Sequence, residues 1–360
     1  MASRPRHERA REIAGECPLL TADLATVTWL TGLVADIEWG PSPFTAPPVA
    51  LIHPDGSLLV VASEDEALSV AAGVDVLAFP GFAVEDVDRE REALSRALAA
   101  LEGADAVSAD VASLPGALAW ELARSGVEVV DVGAELRRAR AVKDPDELEA
   151  IRAAIAVADA GQKAARAGLS AGRSELELWA ETRFALEHAA GGRIPVLADF
   201  VTGERTGEVG GLPGERAVLE GDLLLVDLVP RVGGYWADSC ATVACGEATA
   251  TARRAYERSR AALERALELV RPHASAAEID EAARSEVGGE GYPHHTGHGI
   301  GTSFHEEPRI VPGTDRMLEP GMVVALEPGA YEDGVGVRLE LVVVVTADGY
   351  EVLSGHDLSL

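Results

Sequence analysis

Three acids in the second half of this chain each lie inside or at the end of a run of strand-forming apolar residues, which restricts the folds open to it. Asp227 interrupts Leu223-Leu224-Leu225-Val226-Asp227-Leu228-Val229. Glu327 closes Met322-Val323-Val324-Ala325-Leu326, and Glu340 lies within the run from Val335 to Val345. A carboxylate buried without a partner costs several kcal/mol, so a sheet built from these runs needs a cation facing the acids. Pro328-Gly329 stops the second run directly after its acid. A fourth acid, Asp238, follows Val232-Gly233-Gly234-Tyr235-Trp236. The Gly-Gly pair between two strand-like runs predicts a hairpin, one able to set Asp227 and Asp238 side by side on adjacent strands. Close carboxylates repel unless a proton or a metal lies between them.

His298 belongs to His294-His295-Thr296-Gly297-His298-Gly299-Ile300-Gly301, too rich in glycine for a packed helix and read as a loop or strand end. Each residue alone has an ordinary explanation: an acid paired with an arginine, or a surface histidine. Four carboxylates and an imidazole on successive strands instead match hard divalent cations, Mn²⁺ first, with Co²⁺ or Zn²⁺ as substitutes. The candidate ligand set for two metal ions is therefore Asp227, Asp238, His298, Glu327 and Glu340. Cys240, next to this group in sequence, is expected to pack away from it.

These residues, with Gly-Tyr before Asp238, His298-Gly-Ile-Gly, His305-Glu306-Glu307-Pro308, Glu327-Pro-Gly and Arg338-Leu-Glu340, resemble the signatures of the creatinase, aminopeptidase P, prolidase and methionine aminopeptidase superfamily, the pita-bread enzymes. The resemblance covers nearly the whole chain. It implies that Asp227 chelates one ion, that His298 and Glu327 hold the other, and that Asp238 and Glu340 bridge both. His294 and His305 match histidines that handle the substrate carbonyl and the developing intermediate. Arg309 resembles an arginine with which some prolidases hold a dipeptide carboxylate, a role suited to its planar fork. Arg338 is expected to orient Glu340 or bind substrate. One departure stands out. Family peptidases carry a histidine about seventeen residues before the first metal aspartate, where this chain has Gly210 in Thr206-Gly207-Glu208-Val209-Gly210-Gly211. Loss of such a donor costs roughly 2–4 kcal/mol of transition-state stabilisation, so Xaa-Pro cleavage is expected to be slow and Gly210→His to raise it.

A formal net charge of −29 argues against nucleic-acid or anionic-membrane partners. Three cysteines cannot build a disulfide framework, no apolar run is long enough to span a membrane, and the basic start of the chain lacks an apolar core behind it. A cytoplasmic homodimer acting on a small peptide is expected.

A chain of 360 residues exceeds the usual size of one core. The expected fold class is α+β: a smaller creatinase-like α/β domain over 1–138, then a pita-bread domain over 139–360 with a curved antiparallel sheet and outer helices. The junction is read at Leu136 to Pro145, a basic linker ending at Asp144, which caps a helix starting with Pro145. The expected activity is dinuclear-metal hydrolysis of the peptide bond before proline in a dipeptide or short peptide. The alternatives are hydrolysis of another small amide, or peptide binding without catalysis.

Overall fold

The computed structural model describes residues 5–35, 37, 46–80, 89–288 and 291–360, so residues 1–4 of the basic N-terminal stretch lie outside it. The chain divides into two compact units, Met1–Arg140 and Ala141–Leu360.

The first unit contains one six-stranded mixed sheet. Its strands are β1 (Leu19–Thr21), β2 (Val49–Ile52), β3 (Leu58–Ser63), β4 (Asp75–Phe79), β5 (Ala106–Ala109) and β6 (Glu128–Asp131), in spatial order β4-β3-β2-β1-β5-β6. The helices are α1 (Arg6–Ala14), α2 (Leu24–Thr31), α3 (Glu64–Ala67), α4 (Arg89–Ala100), α5 (Gly116–Arg124) and α6 (Gly133–Ala139). Among the described residues, one apolar cluster forms around Trp29 and Val60 and another around Phe79 and Leu118. The first four residues of the segment expected to be a basic linker, Leu136–Ala139, instead belong to α6. Leu136 is fully buried, and Arg140 folds back to put Nη1 2.5 Å from Asp23 Oδ2.

In the second unit, four long helices surround antiparallel strands. They are α7 (Pro145–Gly168), α8 (Glu175–Ala190), α9 (Ala250–Leu269) and α10 (Ala276–Val287). Pro145 occupies the first turn of α7, where its missing N–H is no loss, and Glu147 Oε2 accepts the Asp144 N–H at 2.9 Å. Along α9, Ala252, Ala255, Ser259, Ala262 and Ala266 form a buried stripe of small residues at helical spacing, letting the helix lie close to the sheet.

The strands are β7 (Val196–Thr202), β8 (Leu223–Val232), β9 (Tyr235–Trp236), β10 (Ser239–Ala244), β11 (Gly297–Gly299), β12 (Glu306–Ile310), β13 (Val323–Leu326), β14 (Gly329–Glu332), β15 (Val335–Arg338), β16 (Leu341–Val345) and β17 (Tyr350–Val352). One sheet runs β10-β8-β7, another β12-β11-β13-β16-β17, and β14 pairs with β15. The β8–β9 hairpin turns at Gly233 and Gly234, whose φ of +56° and +87° match the mirror-image turn that side chains disfavour. Helices α7 and α8 pack on β7 and β8, and α9 and α10 on the second sheet.

Candidate metal centre

All five residues of the expected ligand set are buried and lie close to one another. Asp227 sits mid-strand in β8, directly opposite Cys240 of β10. Asp238 precedes β10, so it is offset from Asp227 along the strands rather than side by side with it as the hairpin reading expected. His298 occupies the middle of the short strand β11, not a loop, while Glu327 follows β13 and Glu340 precedes β16. Donor atoms of Asp238, His298 and Glu340 lie within 4.8 Å of one another, as do those of His295, His298 and His305.

Buried polar contacts fix the backbone carrying these groups. From α7, the Gln162 amide donates to Val226 O at 3.0 Å and Ser239 O at 2.7 Å, the carbonyls next to Asp227 and Asp238. Ser259 Oγ of α9 donates to Pro328 O at 2.9 Å, holding the segment after Glu327. Arg284 of α10 donates to the carbonyls of Tyr292 and His294 at 2.6 and 2.7 Å. A fully buried Lys143–Glu306 ion pair, 2.6 Å long, pins the residue after His305, and Gly301 leaves it room.

The donor set suits a cation. With His298 neutral, Nδ1–H donates to Gly299 O at 3.0 Å, which leaves a lone pair on Nε2. Among the described residues that nitrogen is buried without a hydrogen-bond partner, 3.5 Å from Asp238 Oδ2 and 3.4 Å from Glu327 Oε1. A lone pair facing two carboxylates needs a proton or a metal between. Burial disfavours the imidazolium, yet those carboxylates overcome it and raise the His298 pKa to about 10. Burial, reinforced by the neighbouring acids, pushes Glu340 well above the usual carboxylate range, and among the described residues both its oxygens lack hydrogen-bond partners. Burial also raises Asp227, with Arg338 opposing and Asp238 adding to the rise. Glu327 goes the other way: burial is outweighed by contacts from His295 and His298.

Arg338 is buried, and its guanidinium meets protein groups. Nη2 lies 2.5 Å from Asp227 Oδ2 and 2.9 Å from Asp199 Oδ2, and Nη1 donates to Val209 O at 3.1 Å. It therefore orients Asp227, where the sequence pointed to Glu340 or substrate. Arg309 faces His298 across the β11–β12 pair, and among the described residues its buried Nη1 has no hydrogen-bond partner. His294 and His305 line a pocket of about 270 Å³ beside the cluster. Burial lowers their pKa values to about 4 and about 3, keeping both rings neutral. His294 Nδ1 meets His295 O at 2.9 Å, so its Nε2 accepts from the Tyr331 hydroxyl at 3.0 Å.

Three features escaped the sequence. His295, whose Nε2 lies 2.7 Å from Glu327 Oε1, stood in the quoted histidine stretch without a role. Cys240 does not turn away from the site. A residue opposite Asp227 shares its face, and the thiol lies 3.6 Å from Arg338 O, raised and protonated by burial. Asp199 of β7 lines the pocket, and no motif had marked it.

Residues 149–347, more than half of the chain, match metallopeptidase family M24. The chain belongs to metallopeptidase family M24. A relative in this family, the probable dipeptidase PepE of Mycobacterium tuberculosis (strain ATCC 25618 / H37Rv), is 37% identical over 262 residues, 70% of this chain and 68% of the relative. The Xaa-Pro dipeptidase of Lactobacillus helveticus is 34% identical over 236 residues, 64% of each. Among solved structures, the prolidase from Pyrococcus horikoshii OT3 superposes with a TM-score of 0.82 at 24% identity, covering 99% of this chain and 100% of that one. Dipeptidase PepE from Mycobacterium ulcerans gives 0.79 at 26%, covering 99% and 96%. The architecture is thus the α+β pita-bread fold with an N-terminal domain, and this M24 member is a peptidase. M24 membership also implies divalent metal ions, for which the cluster around His298 is the candidate site.

Proposed function

We propose that the protein hydrolyses the bond before proline in a dipeptide or short peptide, with two divalent ions held by Asp227, Asp238, His298, Glu327 and Glu340. The observation that carries the metal assignment is the buried lone pair of His298 Nε2 aimed at two carboxylates. A donor set of oxygens with one imidazole favours Mn²⁺, with Co²⁺ or Zn²⁺ as substitutes. Bound there, the ions would supply a water of lowered pKa and polarise the scissile carbonyl. His305, a neutral ring with its centroid 4.1 Å from that of His298, would hydrogen-bond the substrate carbonyl as charge develops on it. His294 would present its Tyr331-bonded edge on the same wall. Arg309 Nη1 would take a dipeptide carboxylate. Support for proline comes from the Xaa-Pro dipeptidase among the relatives and from the tertiary amide itself, whose missing N–H lets a ring-shaped site exclude ordinary peptides.

The test is turnover of Xaa-Pro and Xaa-Ala dipeptides and Xaa-Pro-Yaa tripeptides by stripped protein reloaded with Mn²⁺, Co²⁺ or Zn²⁺. Metal-dependent cleavage with at least a roughly tenfold preference for proline, about 1.4 kcal/mol, is expected. Cleavage without that preference would move the assignment to a general dipeptidase, and no cleavage would sink it. Gly210 favours a second reading, hydrolysis of another small amide, because no side chain stands where the family histidine does.

A further inference from the structure

Asp199 stands opposite Asp227 in the β7–β8 register, so both carboxylates face the same side of the sheet. Like charges directly opposite destabilise a strand pair, and Arg338 bridges this one. The Asp199 side chain is 29% exposed, lines the pocket, and takes the Gly211 N–H on Oδ1 at 2.9 Å. Each carboxylate oxygen keeps an unused acceptor direction.

Gly210 is coupled to this placement. Its φ is not in the left-handed region, so backbone conformation is no reason for glycine here. A Cβ would lie 3.0 Å from Asp199 Oδ1 and 3.3 Å from Oδ2, so a side chain at 210 would press on the carboxylate. Gly210→His therefore requires the Asp199 carboxylate to give way by a few tenths of an ångström as well as supplying a donor.

The site carries opposite charges on two edge strands. Asp199 lies on β7, which flanks β8 and Asp227, while Arg309 lies on β12, which flanks β11 and His298. Leu197, Val209 and Val229 line the wall near Asp199, an apolar surface along which an aliphatic stem can lie with its charge at the tip.

We propose that Asp199 is a specificity-determining residue that binds a cationic nitrogen on the substrate residue preceding the scissile bond. The proposal rests on the Xaa-Pro reading, with Arg309 at the carboxylate end. Two nitrogens share the required chemistry, the α-ammonium and a lysine-type side chain.

The experiment compares metal-loaded wild type with Asp199→Asn, which keeps the shape and an acceptor for the Gly211 N–H while removing the charge. Calorimetry measures binding of ketomethylene isosteres of lysyl-proline, norleucyl-proline and hexanoyl-proline, the last lacking the α-amine. Metal content is measured alongside. If the α-ammonium is bound, the norleucyl-to-hexanoyl affinity ratio drops at least tenfold in the variant. If the side chain is bound, the lysyl-to-norleucyl ratio drops instead. Asp199→Ser, too short to reach the nitrogen, should behave in the same way. Unchanged ratios overturn the proposal, and so does loss of metal from Asp199→Asn, which would make Asp199 a positioning residue acting through Arg338 on Asp227. Cleavable versions of the same peptides run in parallel. If none is hydrolysed but the calorimetric contrast disappears in the variant, the Xaa-Pro reading fails while the role of Asp199 stands.

Discussion

At the scale of single residues, the cluster consists of groups that conflict with one another until a cation joins them. Asp238 has two claims on it, the nearby Nε2 of His298 and the shared space with Glu340. If it bridges both ions, Asp238→Ala should leave less than one equivalent of Mn²⁺ by elemental analysis under saturating metal, against two for wild type. Retention of one tightly held ion would instead confine Asp238 to a single site. Asp227, Glu327 and Glu340 were legible in sequence because each disturbed an otherwise apolar run, and Asp238 because a Gly-Gly turn preceded it. Asp199 was not, since Ala198-Asp199-Phe200 is an unremarkable alternation and its meaning depends on a strand that follows a loop and a turn later. Cys240 was misplaced although the signal was local: two residues after Asp238, strand alternation puts it on that acid's face, and its pairing with Asp227 agrees.

At the scale of elements, helices place the strand carbonyls that border the site. Gln162 donates to both Val226 O and Ser239 O, so Gln162→Leu would remove two buried hydrogen bonds, together about 1–3 kcal/mol. Urea unfolding should show a lowered midpoint, and an unchanged midpoint would mean water or a rearranged side chain replaces the amide. The start of α7 was readable from Asp144, since capping is local chemistry. The fate of Arg140 was not, because its partner Asp23 lies far back in the chain. Burial acts to raise the Asp23 carboxyl, but Arg140 and hydrogen bonds from Thr26 hold it below its usual 3.8. A folded-state pKa below the unfolded one adds stability that is present above pH 3.8 and lost as pH falls through the folded value. Asp23→Asn keeps the helix cap and removes the charge. It should cost about 0.5–1 kcal/mol at pH 7, modest because the pair is partly exposed, and the difference from wild type should shrink below pH 3.8. A gap between the two unfolding curves that persists at pH 2 would count against this account.

At the scale of the whole molecule, every residue of the proposed ligand set belongs to the unit Ala141–Leu360. Ligand binding stabilises only the state that binds, by roughly 4 kcal/mol at a thousandfold excess over Kd. Chelation should therefore raise hydrogen exchange in peptides from β8, β11 and β13 while leaving β1 to β6 unchanged, read segment by segment by mass spectrometry. Equal loss in both units would point to coupling between them. Asp227 on β8 and Glu340 before β16 are also widely separated in the chain. A ribosome makes the first long before the last, so the growing polypeptide carries aspartates that await the glutamate completing the set. Loading with metal is then an event of the finished chain, and a cell starved of the ion during synthesis should be able to mature the accumulated protein afterwards without making any more of it.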